Sequence, residues 1–549
     1  MFKFAILTGI YSYLIFALGL LNLLYRINIM ILTFFFFIFC IALFKEQIKY
    51  STKFFTIFTR SILAKAMQGY SFNNFNNLSF LFLSLICIQS LINLIGVLGP
   101  ELGFDALWYH LTLPKIYLIN HSIFHIPGGL LYYSDMPKLG EMLYISALAF
   151  NGEILSKLMH FAFGILSCIA IYKLSRKFLS QKFSLLAILI FYSNLVVAWE
   201  SIAAYVDLTR AFFEILTFWG FIEWRKSRNN KWLIKSALML GLAISVKLIS
   251  LGSLPIFIAL LFLDFLIARS FFKKTILNIF IFSFFALIIP FPWFVFSLVN
   301  TGNPFYPLFT NFYRVGFELS FLNPLKFVVD SWSLFINSPD PVSPIYLSFL
   351  PLMILFFTKL GRELRLISAY SLFALFIWYI TPQTGGGRFI LPYLPALSIV
   401  AAGAIDKIKK DSPLKNICIF IVIISSLLTI FYRTAANSKY IPVLLGRESK
   451  TQFLSRNLNF SFGDFYDTDR FFKNHIKSQD KVLLYGFHNL YYVDFSFIDS
   501  SWIKKGDRFN YIAVQNGELP KRFSYWELIY QNQKTHVKLY SMGGKEWVY

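Results

Sequence analysis

Residues 99–115 read G-P-E-L-G-F-D-A-L-W-Y-H-L-T-L-P-K, and residues 134–144 read S-D-M-P-K-L-G-E-M-L-Y. Together they bracket a polar, Pro- and Gly-punctuated loop, 99–152, in a chain that is otherwise mostly apolar helix. A loop of this length with helical patterning of its own is usually functional rather than a connector. It carries two acidic clusters, Glu101/Asp105 and Asp135/Glu141.

The sequence around this loop reads as membrane. Of 549 residues, 57% are hydrophobic and only 14% are charged, and Phe alone fills 66 positions; a soluble domain has about 25% charged residues. Runs such as 78–98 and 276–298 are long enough to cross a bilayer. The fold class expected is all-α and polytopic, with about 13 spans. They fall near 3–24, 28–44, 78–98, 154–173, 183–199, 203–224, 233–248, 250–268, 276–298, 345–358, 366–381, 389–405 and 416–432. The start, M-F-K-F-A-I-L, lacks a small-residue cleavage site and reads as the first span rather than a signal peptide.

The net charge of +23 has an orientational rather than a nucleic-acid meaning. Basic residues crowd alternate loops, at Lys45–Lys65, Arg176–Lys182, Arg225–Lys231, Arg269–Lys274, Lys359–Arg365 and Lys407–Lys415. The positive-inside rule puts these loops in the cytoplasm. The N-terminus is then cytoplasmic, and the 99–152 loop and the C-terminus lie outside, in a bacterial inner membrane. Cys40, Cys87, Cys168 and Cys418 sit in apolar segments without metal-site spacing.

After residue 433 the pattern changes. Residues 447–457 are polar, 471–477 suit a short helix, and 481–485, 511–514 and 537–540 read as strands. A small extracytoplasmic α/β domain is expected over 433–549. The chain thus divides into 1–77 (a transmembrane pair and a cytoplasmic loop), 78–432 (a membrane domain with the 99–152 loop), and 433–549.

Within the loop, Asp105 heads a run, 105–120, whose apolar positions suit an amphipathic helix lying on the bilayer. Asp105 reads equally well as an N-cap or as a base. Asp135 reads as a helix-start residue, with Pro137 in the first turn, and Lys138 as a snorkelling base. Asp207 is expected to pair with Arg210 or Lys247. His110, His121 and His125 share the loop; a divalent-cation site with Asp105 is one reading and interfacial histidines the other, since the spacing matches no zinc pattern.

F-D-A-x-W-Y-H-L followed by S-D-M-P-K-L-G-E resembles the first outer loop of the GT-C glycosyltransferases. These include the protein O-mannosyltransferases and the bacterial aminoarabinose transferases. Residues 204–208 (A-Y-V-D-L), 301–307 (T-G-N-P-F-Y-P) and 388–395 (R-F-I-L-P-Y-L-P) resemble the bacterial branch, so the likeness spans about 78–405. Ala106 stands where many relatives have a second acid, Glu141 stands for a Lys of the mannosyltransferase motif, and two extra helices precede the usual first one.

The resemblance implies a polyprenyl-phosphate-linked sugar donor and a lipid, glycan or protein acceptor, met at the outer face. Asp105 would be the general base, with Asp135 as a second catalytic acid. Glu101, His110, Lys138, Glu141, Asp207 and Arg388 would contact substrate, with Lys138 and Arg388 neutralising the leaving phosphate. No cofactor is implied, and no nucleic acid. A transporter or lipid flippase, or a polysaccharide polymerase or ligase, are the alternatives.

Overall fold

The computed structural model describes residues 1–45, 77–150, 152–268, 271–311, 323–336, 340, 342–381 and 386–549. Most of the cytoplasmic loop expected after the second span, with Lys49, Lys53, Arg60 and Lys65, lies outside them, as do Arg269, Arg314 and Gly385.

The membrane part is helical. Its first three helices are α1 (Phe2–Leu20), α2 (Arg26–Lys45) and α3 (Asn77–Leu98). The 99–152 loop holds α4 (Thr112–Ile119) and α5 (Leu139–Phe150). There follow α6 (Glu153–Ser175), α7 (Gln181–Tyr192), α8 (Leu195–Glu200), α9 (Asp207–Ser227) and α10 (Asn230–Val246). Next come α11 (Ser253–Ala268), α12 (Phe272–Ile288), α13 (Phe291–Thr301), α14 (Pro324–Ile336) and α15 (Ile345–Leu355). The series closes with α16 (Arg362–Ile380), α17 (Leu394–Lys407) and α18 (Pro413–Asn437).

Among the described residues, seven helices are long and apolar enough to cross a membrane, and the pair α12–α13, bent by 60°, makes an eighth if counted as one span. Pro290 and Pro292 sit at that bend, where a missing N–H breaks the helical ladder. The other expected spans fall on helices that are shorter (α7, α10, α15, α17) or more charged (α9).

Helices α9 and α10 form an antiparallel hairpin. Gly220 lets them close up, since a Cβ there would lie 3.0 Å from the Ser236 backbone, the small-residue contact that brings membrane helices together. The hairpin carries Asp207 and Lys247 at one end. At the other, Arg225 and Arg228 pair with Asp264 of α11. At 1.5 Å per residue α9 separates the two ends by about 30 Å, one hydrocarbon thickness.

Helix α18 runs past residue 433 to Asn437. Beyond it lie α19 (Ile441–Leu444), α20 (Lys450–Asn457) and α21 (Phe471–His475). A five-stranded sheet follows, built from β1 (Val482–Tyr485), β2 (Phe497–Asp499), β4 (Tyr511–Gln515), β5 (Glu527–Asn532) and β6 (Val537–Ser541). Its order is β2-β1-β4-β6-β5, and β3 (Arg508–Phe509) pairs with β7 (Trp547–Val548). β1 runs parallel to β2 and β4, whereas β6 is antiparallel to β4 and β5. The apolar runs at 482–484 and 512–514 are buried, as continuous strand cores should be.

This domain packs onto the 99–152 loop. Tyr491 N–H donates to the Leu107 carbonyl at 3.2 Å. Lys115 Nζ donates to the carbonyls of Tyr491 and Val493 and pairs with Asp494 at 2.6 Å. The Tyr491 and Tyr492 hydroxyls donate to Glu153. Gly128, at φ +88°, passes so close to Ser501 that a Cβ would lie 1.9 Å from its carbonyl oxygen.

Candidate functional site

The site is assembled from the end of α3 outward. Lys157 of α6 is buried, and its ammonium donates to the carbonyls of Gly96 and Gly99, both at 2.8 Å. This satisfies the open C-terminal end of α3. The chain then turns at Glu101, whose carboxylate accepts from the N–H groups of Leu102, Gly103 and Ala204 at 2.6–2.8 Å. Glu101, expected to touch substrate, is therefore a latch in the wall, because three backbone donors occupy it and it is 1% exposed.

Asp105 follows, immediately before a π-helical turn, Ala106–His110. Such turns recur at functional positions. The run 105–120 is not an amphipathic helix lying on the bilayer. It is this π turn followed by α4, and Leu107, Tyr109, His110, Leu113 and Tyr117 are buried in the protein. Asp105 makes no capping hydrogen bond, so the capping reading does not account for it.

The Asp105 carboxylate accepts from Arg388 Nη1 at 2.7 Å and from the Tyr109 hydroxyl at 3.2 Å, while its N–H donates to the Tyr205 hydroxyl. Arg388 is held from the other side by Asp340, whose carboxylate accepts from Nε at 3.0 Å, and the guanidinium lies over the Tyr205 ring. Burial works against the guanidinium charge, yet Asp105 and the other nearby acids outweigh it and raise the pKa of Arg388. Burial pushes the Asp340 carboxyl up, against the pull of Arg388.

Asp105 and Arg388 line a cavity of about 430 Å³. One wall is aromatic (Trp108, Tyr109, Tyr132, Tyr133) and another is aliphatic, with Leu248, Ile249, Leu251, Leu308 and Ile380. Tyr109 and Tyr133 stack at 3.7 Å. Lys247 also lines the cavity, and its ammonium is paired with Asp207 at 2.8 Å. Of the two partners foreseen for Asp207, the structure selects Lys247; Arg210 donates instead to the Tyr393 hydroxyl.

The second acidic cluster lies elsewhere. Asp135, expected to be catalytic, is fully buried at the end of a 3-10 turn, Tyr132–Asp135, and accepts from Ser134 at 2.8 Å and contacts His125 at 2.7 Å. It does not open a helix, since α5 begins at Leu139. Glu141 contacts His110 at 2.6 Å, both buried. Lys138 donates to the carbonyls of Ser134 and Met136 and lies over the Trp293 ring. None of Asp135, Lys138, Glu141 or His110 lines the cavity. Their polar groups tie the loop together, because a buried polar group must find a partner.

Lys247, expected only as a partner for Asp207, lines the cavity. Asp340 was not a sequence candidate and does not line the cavity; it enters the site through its pairing with Arg388 at 3.0 Å. Among the described residues no group of three or more His, Cys, Asp or Glu is placed to hold a metal ion. His110 and His125 each face a single carboxylate, and His121 stacks on Tyr25.

Residues 144–296 match the family described as dolichyl-phosphate-mannose-protein mannosyltransferase. Two solved structures share the architecture. ArnT from Cupriavidus metallidurans bound to undecaprenyl phosphate superposes with a TM-score of 0.58 at 11% identity, covering 84% of this chain and 97% of that one. The same protein in the apo state gives 0.54 at 12% identity, with the same coverage. No curated protein sequence matches the chain. Its architecture is thus GT-C-like, and residues 144–296 carry the pattern of that mannosyltransferase family.

Proposed function

We propose that the protein transfers a sugar from a polyprenyl-phosphate donor to an acceptor hydroxyl or amine at the extracytoplasmic face of a bacterial inner membrane. The observation that carries this reading is the cavity itself. It joins one carboxylate, two cations and an aliphatic wall in a single space. The aliphatic wall suits an isoprenoid chain. The phosphate would lie between Arg388, which offers a planar fork, and Lys247, a point charge. Related support comes from the neighbour ArnT, which was solved bound to undecaprenyl phosphate.

In the reaction Asp105 accepts the acceptor proton. The acceptor atom forms a bond to the anomeric carbon as the bond from that carbon to the phosphate oxygen breaks. The electron pair leaves with the phosphate, and the anomeric configuration inverts. Arg388 has N–H groups beyond the two committed to Asp105 and Asp340, and these would meet the charge that grows on the leaving group. Glu101, the Asp135–His125 pair and the Glu141–His110 pair hold the loop so that Asp105 stays aimed into the cavity.

The test is transfer of radiolabel from synthetic polyprenyl-phosphate sugars into membranes of a deletion strain by the purified full chain. A covalent, anomerically inverted product is expected. Movement of the lipid across the bilayer without any new glycosidic bond would instead identify a flippase and overturn the reading. Chain extension of a polymer would identify a polymerase.

A further inference from the structure

The aromatic wall of the cavity does not stop at its mouth. Trp108 lines the cavity, and on its outer side its ring meets His488 of the C-terminal domain at 4.4 Å. His488 in turn stacks on Phe104 at 4.9 Å and 25°. On the inner side Trp108 meets Tyr133 at 5.0 Å, and Tyr133 stacks on Tyr132 at 4.2 Å. The rings are in contact from Phe104, which is 38% exposed, through Trp108 to the cavity that Asp105 lines, and they make a shelf of alternating stacked and edge-on contacts.

The rings that carry polar groups are fixed by hydrogen bonds of their own. The Trp108 indole N–H donates to the Leu130 carbonyl at 2.9 Å. The Tyr132 hydroxyl donates to that of Tyr133. At His488 a relay does the work. Asn489 Nδ2 donates to Asp464 at 2.6 Å, which turns Asn489 Oδ1 toward His488 Nδ1 at 2.8 Å. Nδ1 therefore carries a hydrogen, and in the neutral ring Nε2 keeps a lone pair, with no hydrogen-bond partner among the described residues. Gly463, at φ +88°, lies directly beneath; a Cβ there would come 2.7 Å from the His488 Cβ. A half-buried histidine with an orienting amide and an acid behind it is over-built for packing alone.

We infer that this shelf is the acceptor subsite, and that it selects a carbohydrate. The inference rests on the transferase reading above and names its acceptor class. Pyranose rings present flat C–H faces flanked by hydroxyls. The faces suit Phe104 and Trp108, and a hydroxyl suits the Nε2 lone pair of His488. A bare alkyl chain would leave that lone pair without a donor, which is costly where water is excluded. A fixed, pre-oriented surface loses little freedom on binding. His488 is on this view a positioning residue: it aligns the acceptor, and Asp105 takes its proton.

The experiment uses the full chain in nanodiscs and a panel of fluorescent tetrasaccharides built from hexoses and N-acetylhexosamines. At least one is expected to bind, and Phe104→Leu and His488→Gln should weaken it tenfold or more. Undecaprenyl phosphate binding should stay within twofold in both variants. In transfer assays His488→Gln should raise the acceptor KM more than it lowers kcat, whereas a purely structural residue would reduce stability and donor binding together. Lys504→Ala, on an exposed turn of the same domain, should change neither. Binding of no tetrasaccharide, binding of peptides or detergent-solubilised lipids in their place, or tetrasaccharide affinity indifferent to Phe104→Leu and His488→Gln would each overturn the inference. Tetrasaccharide binding without sugar transfer from any polyprenyl donor would sink the proposed function while leaving the subsite standing.

Discussion

Asp105 and Asp135 lie on the same loop, and each meets a basic side chain at 2.7 Å. Asp105 meets an arginine at the edge of a cavity, with 13% of both side chains exposed. Asp135 is wholly buried behind a histidine, His125, whose own side chain is 32% exposed, and it lines no part of the cavity. The Asp105 carboxylate faces the cavity, whereas that of Asp135 faces none. What separates the acid proposed as base from the other is access to the cavity, since charge and partner distance are nearly the same.

The strongest way to break this contrast is Asp105→Asn. Transfer should fall by about 10²–10⁴-fold, the usual worth of a general base, with a smaller loss of stability than in Arg388→Ala, because Asp340 still pairs the guanidinium. Wild-type turnover in membranes carrying a defined donor would remove Asp105 from the chemistry. Next comes Arg388→Ala, which leaves Asp105 and Asp340 without their shared cation. Breaking such a partly buried pair costs about 3–5 kcal/mol, so both thermal stability and transfer should drop. Arg388→Lys should recover stability more than transfer, because it restores charge but not the fork. Equal recovery of the two would argue against phosphate contact.

Lys138 sharpens the contrast through pH. Burial lowers its ammonium to about 8, with Asp135 and Glu141 pulling the other way. Below pH 8 the folded and unfolded chains both hold the proton. Above it the folded chain releases the proton first, so the unfolded chain binds more protons and stability rises with pH until the ordinary lysine range. Lys138→Met lacks this contribution. Wild type should therefore gain on the variant by up to roughly 3 kcal/mol between pH 8 and 10, read from paired thermal melts; a pH-independent difference would contradict the burial of the charge. The smallest effect is expected for Asp135→Asn, about 1–3 kcal/mol of stability from a disturbed buried hydrogen bond with kcat nearly intact. Abolished transfer at an unchanged melting temperature would move Asp135 into the active site.

Much of the fold was legible in the sequence. The apolar runs gave the helices, and 482–485, 511–515 and 537–541 gave strands close to where alternating or continuous apolar residues placed them. The loop 99–152 stood out in the sequence because polar, Pro-punctuated residues contrast with membrane helix, and Asp105, Trp108, Tyr109, Tyr132, Tyr133 and Met136 of it do line the cavity. Within it, the residues could not be ranked. Asp105, Asp135, Glu101 and Glu141 are all acids near helix starts, and no local property distinguishes them. Lys247 and Asp340 come from segments distant in the chain, and only folding brings them to Arg388.

The sequence by itself determined that this chain lives in a bilayer, since runs of about 20 apolar residues match its hydrocarbon core, and which ionisable groups are available. Only the tertiary structure decided which of those groups meet. A buried charge takes whichever partner the packing supplies, so the same residue types became a latch at Glu101, a clamp at Lys138 and an open carboxylate at Asp105.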